Sequence, residues 1–203
     1  MLAKIFRKLN LANGQTARLK NSKANGSFSV LISSEAEYDV DVEITELPHV
    51  FRTTLETIPS KIPYLCVEPK SLPLKSKQVS VGLVWQAGDW DKRRSIPFSS
   101  LTPLGEIPNV EFYILQQDAK RAGWREGFGE IAGGNNIIED ARMMRSLDLM
   151  ISADSMTVHL AGALGVPIWN LLHAEADWRW MENRNDSPWY PTMRLFRQER
   201  QGE

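Results

Sequence analysis

The 203-residue sequence predicts an α/β protein, a Rossmann-like parallel sheet with helices on both faces. Three observations carry this expectation. From Val79 onward, short apolar runs alternate with polar or helix-like stretches in regular order. VSVGLVWQ, the first of them, is a buried-strand run, and the regular strand–helix order argues for a parallel sheet covered on both faces. Composition is that of an ordinary globular chain, with 42% hydrophobic and 24% charged residues.

The elements follow in order. VSVGLVWQ is the first buried strand of this region. SIPFSSLTPL reads as a helix, with Ser95 or Ser99 as its cap. VEFYILQ is the second strand, and KRAGWREGFGE is helix or loop, weakened by its glycines. NNIIED reads as a short third strand, ARMMRSL as helix and LDLMISAD as the fourth strand. SMTVHLAGALG is a helix ending at Gly165, a natural residue for the left-handed turn that closes a helix. VPIWNLL is the fifth strand and MRLFRQ the sixth. Ligands of such sheets bind beyond the carboxyl ends of the strands. Those ends carry Trp85-Gln86, Gln116-Gln117, Asp140, Asp154 and His173.

Upstream the pattern is less regular. Residues 1–75 read as an incomplete N-terminal portion and 76–203 as the Rossmann-like domain, with SLPLKSKQ as a polar linker between them. Leu2, Ile5, Phe6 and Leu9 would share one face of a short helix. NGQTARLKNSKANGS is polar and rich in turn formers. SFSVLIS and YDVDVEITELP read as strands, the second with one wet face. The proline-rich run from Leu47 reads as short helical turns and an extended segment.

Several functional classes are excluded or disfavoured. Net charge is −1, so no whole-chain field attracts nucleic acid or an anionic membrane. The single cysteine, Cys66, rules out an intramolecular disulfide, and three scattered histidines do not suggest a metal site. The apolar run at the N-terminus is too short for a signal peptide, and no stretch approaches the ~20 apolar residues of a membrane span. The expectation is a cytoplasmic protein. The absence of GxGxxG disfavours a dinucleotide enzyme, and there is no Walker-type lysine motif.

Two clusters remain. At the fourth strand, Asp154, Ser155, Met156, Thr157 and His159 stand where a strand meets a helix. The first N–H groups of a helix lack internal partners, and the helix dipole adds positive charge, which favours a phosphate. The same residues also read as a capped helix over a buried histidine. After the first strand, Lys92, Arg93 and Arg94 leave the same edge of the sheet. They read as a solvated loop or as phosphate-binding forks. Aromatics of the segment HAEADWRWMENRNDSPWYPTMRLFRQ read as anchors for a long loop, one of which could line a nucleotide pocket.

The segments VGLVWQAG, RRSIPFSSLTPL, FYILQ, DLMISADSMTVHLAGALGVPIWNLL, ADWRW and DSPWYPTMRLFRQ together resemble the C-terminal glycosyltransferase-like half of bacterial tetratricopeptide-repeat proteins. That half is related to the ADP-heptose:lipopolysaccharide heptosyltransferases. The resemblance runs from about Val79 to Gln198. It implies the second half of a GT-B architecture, the domain that binds a nucleotide diphosphate sugar. By that analogy Asp154, Ser155, Met156, Thr157 and His159 match the diphosphate loop. Arg93 or Arg94 approaches the phosphates, and Gln116 lies near the nucleoside. The implied donor is a substrate; no cofactor or metal is expected. The chain departs from the family where small residues often stand near Met156 and in the short third-strand region. It also lacks the Gly-rich Q-G-x-G-D turn and the repeats, and no catalytic base is assignable. A homodimer or partner chain completing the cleft is one expectation. A truncated, non-catalytic nucleotide-binding or protein-interaction module is the other.

Overall fold

The computed structural model describes residues 16–22, 27–31, 40–43, 46–72, 79–133 and 135–202. The chain forms two compact units, Met1–Tyr64 and Leu65–Glu203. In the first, strand β1 (Thr16–Ser22) pairs antiparallel with β2 (Ser27–Leu31) on one side and β3 (Val40–Glu43) on the other. β2 and β3 lie within the two segments read as strands. β1 falls in a segment read as turn-rich; Arg18 and Leu19 pair on both sides, and Lys20, Asn21 and Ser22, of poor strand propensity, pair with β2 alone. The expected helix at Leu2–Leu9 lies outside the described residues. A four-residue helix, α1 (Leu47–Val50), and a 3-10 turn at Leu55–Thr57 follow.

The second unit is a six-stranded, wholly parallel sheet. Its strands are β4 (Val79–Val84), β5 (Val110–Ile114), β6 (Glu130–Ile131), β7 (Leu149–Ala153), β8 (Ile168–Leu172) and β9 (Met193–Arg197). Their spatial order is β6-β5-β4-β7-β8-β9. This is the doubly wound Rossmann order, with the direction of winding reversing between β4 and β7. The reversal leaves a crevice beyond the carboxyl ends of those two strands, because their following loops depart to opposite sides.

Side-chain alternation along β4 explains the two layers. Val81, Leu83 and Trp85 face a core shared with Phe98, Leu101, Phe112, Ile114 and Ile151. This face is covered by 3-10 turns at Phe98–Ser100 and Thr102–Glu106, where the sequence predicts a helix. Pro97, Pro103 and Pro108 interrupt the donor series that a continuous α-helix needs there. Aromatic packing supplies the missing bulk. Trp85 and Phe98 lie 4.9 Å apart, Phe98 meets Phe128 edge-on, and Phe128 stacks on Phe112.

Helices α2 (Ile137–Met144) and α3 (Met156–Leu164) serve the remaining layer. The expected strand at NNIIED is instead the start of α2. Asn136 Oδ1 accepts from the N–H groups of Ile138 and Glu139 and so caps a helix. Glu139 and Asp140 then sit in its first turn, where the dipole favours acids. Asp140 therefore belongs to a helix, not to a strand end. The third strand is β6, only two residues long. After Leu65 the extended segment is tied down by Leu65 N–H on Ala163 O and Lys70 N–H on Arg142 O.

α3 packs against β7 and β8 through Val158, Ala161, Gly162 and Leu164, all buried. Its end is set by Gly165 at φ 72°, with Val166 N–H returning to Ala161 O at 3.0 Å. Gly162 fixes how closely the helix lies on its neighbours. A Cβ there would stand 2.4 Å from two ring atoms of Tyr190. Gly162→Ala should therefore destabilise the protein by roughly 1–3 kcal/mol, the ordinary cost of overpacking. The midpoint of urea denaturation reads this; an unchanged midpoint would mean that Tyr190 gives way freely.

Candidate functional site

Loops from β4, β7 and β8 converge at the carboxyl edge, beside the reversal of strand order. β7 ends at Ala153, and Asp154 turns the chain into α3. Ser155 is extended, and its hydroxyl accepts from Thr157 N–H at 3.3 Å. The capped-helix reading is thus realised in the geometry. Val158 N–H closes on Ser155 O, while the Met156 side chain stands exposed at the first helical position.

The basic loop resolves into two unlike arginines. Asp91 caps the 3-10 turn Lys92–Arg94 by accepting from Arg93 N–H. The Arg93 guanidinium then folds back on Asp91 with Nη2–Oδ2 at 2.9 Å and reaches Glu175 through Nη1 at 2.5 Å. Those hydrogen bonds from Arg93 hold Asp91 well below the usual carboxylate range, at about 2. Asp91 and Glu175 likewise raise the pKa of Arg93. Its charge is already divided between two carboxylates.

Arg94 is buried and takes a different course. Nη1 donates to Asp154 O at 3.0 Å and Nη2 to Gly88 O at 3.1 Å. The guanidinium carbon lies 4.3 Å from the centre of the Trp90 ring. Arg94 therefore joins the loop after β4 to the start of α3, directly across the reversal point. Its Nε is buried with no hydrogen-bond partner among the described residues.

Behind this bridge lies a buried polar group. Burial raises the pKa of the Asp154 carboxyl, while Trp180 and Arg94 act in the opposite direction. The Trp180 indole N–H favours the ionised carboxylate without closing a hydrogen bond of good geometry. His173, at the end of β8, is 5% exposed, with Nε2 3.9 Å from Asp91 Oδ2 and no partner for Nδ1 among the described residues. Such unsatisfied groups are uncommon in a folded core. They cluster where four chain segments meet.

His159 does not join that cluster through a hydrogen bond. Its Nδ1 pairs with the Tyr190 hydroxyl at 3.1 Å, and its ring stacks on Trp180 with centroids 5.2 Å apart. Burial, helped by the charge of Arg179, lowers its pKa to about 4. Gln116 is likewise committed. Its Oε1 accepts from the N–H groups of Trp85 and Gln86, and its Nε2 donates to Gln117 O. It locks the ends of β4 and β5 together while facing a cleft of about 390 Å³ beyond β5 and β6. Asp118, Lys120, Arg121 and Asn135 also line that cleft.

The sequence places His173 at the carboxyl edge and Trp180 among the aromatics that anchor the long loop, but does not single out Asp177. Asp177 caps the turn Trp178–Trp180 and delivers Trp180 into full burial beneath Asp154. The available signal was the Asp-x-x-Trp spacing. Among the described residues no His, Cys, Asp or Glu group has the arrangement of a metal site, and no helix is long and apolar enough to cross a membrane.

No family model matches the chain. Among curated proteins it is similar to Protein FlbA of Caulobacter vibrioides, 29% identical over 172 residues. That alignment covers 74% of this chain but 28% of FlbA, so the chain spans little more than a quarter of that relative. Solved structures similar in part include the glycosyl transferase family 9 protein of Veillonella parvula, at TM-score 0.46 and 16% identity, covering 62% of this chain and 37% of that one. Two E. coli proteins also align. ADP-heptose LPS heptosyltransferase II gives TM-score 0.47 and 13% identity over 61% of this chain and 40% of the other. Heptosyltransferase WaaC with ADP gives 0.44 and 15%, over 62% and 40%. This chain covers well under two thirds of each.

The His159 environment has a stability consequence. A histidine with a folded pKa below its unfolded value stays neutral in the native state while the unfolded chain takes up a proton. Its stabilising contribution is complete above about pH 6.5 and is lost as pH falls toward 4. Proton NMR of the imidazole should show titration near pH 4, and His159→Phe should flatten the stability loss between pH 7 and pH 4 by on the order of 1–3 kcal/mol. A midpoint near 6.5 would contradict the packing described.

Proposed function

We propose that the second unit binds a nucleotide diphosphate sugar at its carboxyl edge and serves glycosyl transfer of the GT-B type. The observation that carries this is the Arg94 bridge. A nearly buried cation ties both loops of the reversal point together beside the first turn of a nine-residue helix. A diphosphate laid across that point meets the α3 N-terminus and a fixed positive charge behind it.

The chemistry follows from charge. When a glycosidic bond to a diphosphate breaks, negative charge grows on the leaving oxygen. Preorganised donors and a fixed cation stabilise that charge without a metal. In this reading Ser155 and Thr157 receive the phosphate oxygens, which compete for the Thr157 N–H at its long bond to Ser155. Arg93 is held by Asp91 and Glu175 and supports the loop. Gln116 shapes the nucleoside side by fixing the strand ends, and His159 packs under α3 as a positioning residue. Asp154 stands at the junction where phosphate and sugar would meet.

Transfer to a carbohydrate or protein acceptor also needs a general base. Exposed carboxylates such as Asp89 and Asp118 stand on loops of this edge, and no contact selects one of them as that base. The base would come from one of these, a partner chain, a second copy or another part of a longer protein. Binding without transfer is the alternative, as a nucleotide-binding or protein-interaction module.

Thermal-shift and calorimetric titrations with ADP, UDP, GDP and their hexose conjugates test the reading. At least one should raise the melting temperature. Arg94→Gln should weaken its binding about 10- to 100-fold, the scale of a charge-assisted hydrogen bond. Thr157→Trp should abolish it by filling the approach to α3. Circular dichroism verifies that both variants remain folded. Silence toward every compound leaves the interaction module. Where one binds, release of free sugar on incubation separates an enzyme from a binder.

A further inference from the structure

Among the described residues of the second unit, Trp90 and Trp178 are the most exposed large apolar side chains. Trp90 is 76% exposed and Trp178 63%, and they stand on loops leaving the carboxyl ends of β4 and β8. Met156, 57% exposed, opens α3 between those loops in chain order. The other five tryptophans are used by the fold; Trp169, 40% exposed on β8, packs on Phe196 with centroids 5.1 Å apart. Trp85 and Trp180 are fully buried, and Trp124 and Trp189 donate their indole N–H groups to Phe128 O and Arg179 O.

Both exposed rings are held rather than loose. Arg94, pinned by Asp154 O and Gly88 O, backs one face of Trp90 at 4.3 Å. Arg179 lies 5.0 Å from the centre of the Trp178 ring. That arginine is itself fixed by Asp177, with Nη1 at 2.7 and 2.8 Å from the two carboxylate oxygens. Trp189 meets the Trp178 ring edge-on at 6.5 Å. Each ring is thus oriented by a guanidinium that is fixed in turn, leaving much of its surface in water. Fixing an aromatic ring while leaving it wet contributes little to folding. It prepares a flat apolar platform for a ligand.

We propose that Trp90 and Trp178 stack on the sugar ring of the bound donor and so select for its glycosyl part. This rests on the nucleotide-sugar reading of the same edge. The sugar is favoured over the base by position. The cleft at Gln116 lies beyond β5 and β6, on one side of the reversal point. Trp178 leaves β8, on the other side. A ligand whose phosphates span the reversal point puts its nucleoside toward the cleft and its sugar toward Trp178. A pyranose presents C–H groups on its face and hydroxyls at its rim. The rim would meet Asp177, Arg179 and Glu175, which surround the platform with donors and acceptors.

Indole N–H resonances report the contact directly, with Trp90→Phe and Trp178→Phe assigning the two signals. ADP, UDP and GDP are compared with their hexose conjugates. The sugar nucleotide that binds should move both signals, and its parent diphosphate should leave Trp178 in place. Trp90→Ala and Trp178→Ala should each weaken the sugar nucleotide by roughly three- to tenfold, the scale of an aromatic contact, with the parent nucleotide changed less than twofold. Equal losses for nucleotide and sugar nucleotide would overturn the assignment in favour of base stacking. So would both indoles staying silent while the sugar nucleotide binds. Failure of every phosphate compound to bind would overturn this proposal together with the donor-site reading, whereas nucleotide binding with silent tryptophans overturns the platform alone.

Discussion

The junction of β4 and β7 organises the second unit, and it is held at both ends by polar contacts across the pair. At the amino end, Asp148 Oδ2 accepts from the N–H and the hydroxyl of Ser80 at 2.8 and 2.7 Å. At the carboxyl end, Arg94 spans from Gly88 O to Asp154 O. Parallel strands need long crossovers, so β4 and β7 meet only after about sixty residues of intervening chain. Backbone pairing fixes their register but not the loops that leave them. The Arg94 bridge does that, because a planar guanidinium imposes direction on both carbonyls at once. Lysine would keep the charge and lose the fork.

That bridge also explains why two adjacent arginines differ so much. Arg94 is drawn inward by two backbone carbonyls, and its charge is balanced only by dipoles and by the nearby Asp154 carboxyl. Arg93 turns outward and is neutralised by Asp91 and Glu175. An exposed pair of this kind adds little to stability. Its effect is geometric, since it joins the loop after β4 to the loop after β8. The edge is thus laced together on both sides of α3 before any ligand arrives, which is how a site avoids an ordering cost on binding.

Much of this was legible in the sequence, and the misses have physical causes. Strands β4, β5, β7, β8 and β9 all fall in segments read as strands, and Gly165 marked the end of α3. NNIIED failed because two isoleucines after an asparagine satisfy a strand pattern as well as a capped helix. Only the capping bonds from Asn136 decide, and these leave Ile137 and Ile138 exposed at 55% and 62%. SIPFSSLTPL has the apolar spacing of a helix, but its prolines limit it to 3-10 turns. At the candidate site, residue types and strand ends placed the residues at one edge. They could not separate Arg93 from Arg94, because that choice depends on Asp91 and Glu175. Gln116 and His159 were visible as polar residues, but their engagement by Trp85, Gln86 and Tyr190 depends on distant parts of the chain.

The remaining tension at this edge is between its acids and the anion proposed for it. Arg93 holds the pKa of Asp91 low, and Arg179 pairs with Asp177 at 2.7 and 2.8 Å, so each of these acids has a partner cation in direct contact. Asp154 meets Arg94 only through its backbone carbonyl and the field of the charge, and burial raises its pKa. A diphosphate beside it adds like charge and raises that pKa further. Protonation of Asp154 is therefore easier with the anion bound than without it, and a protonated carboxyl would donate a hydrogen bond where the carboxylate repels. Linkage fixes the sign: a group whose pKa rises on binding takes up protons, so affinity strengthens as pH falls. The window is bounded below by the pKa of His159, about 4, since that ring charges on the buried side of α3 as the pH falls toward it. Titration calorimetry in buffers of different ionisation enthalpy should therefore record net proton uptake with any diphosphate that binds. Asp154→Asn should remove that uptake while retaining the carbonyl that holds Arg94, and uptake persisting in that variant would place the proton elsewhere.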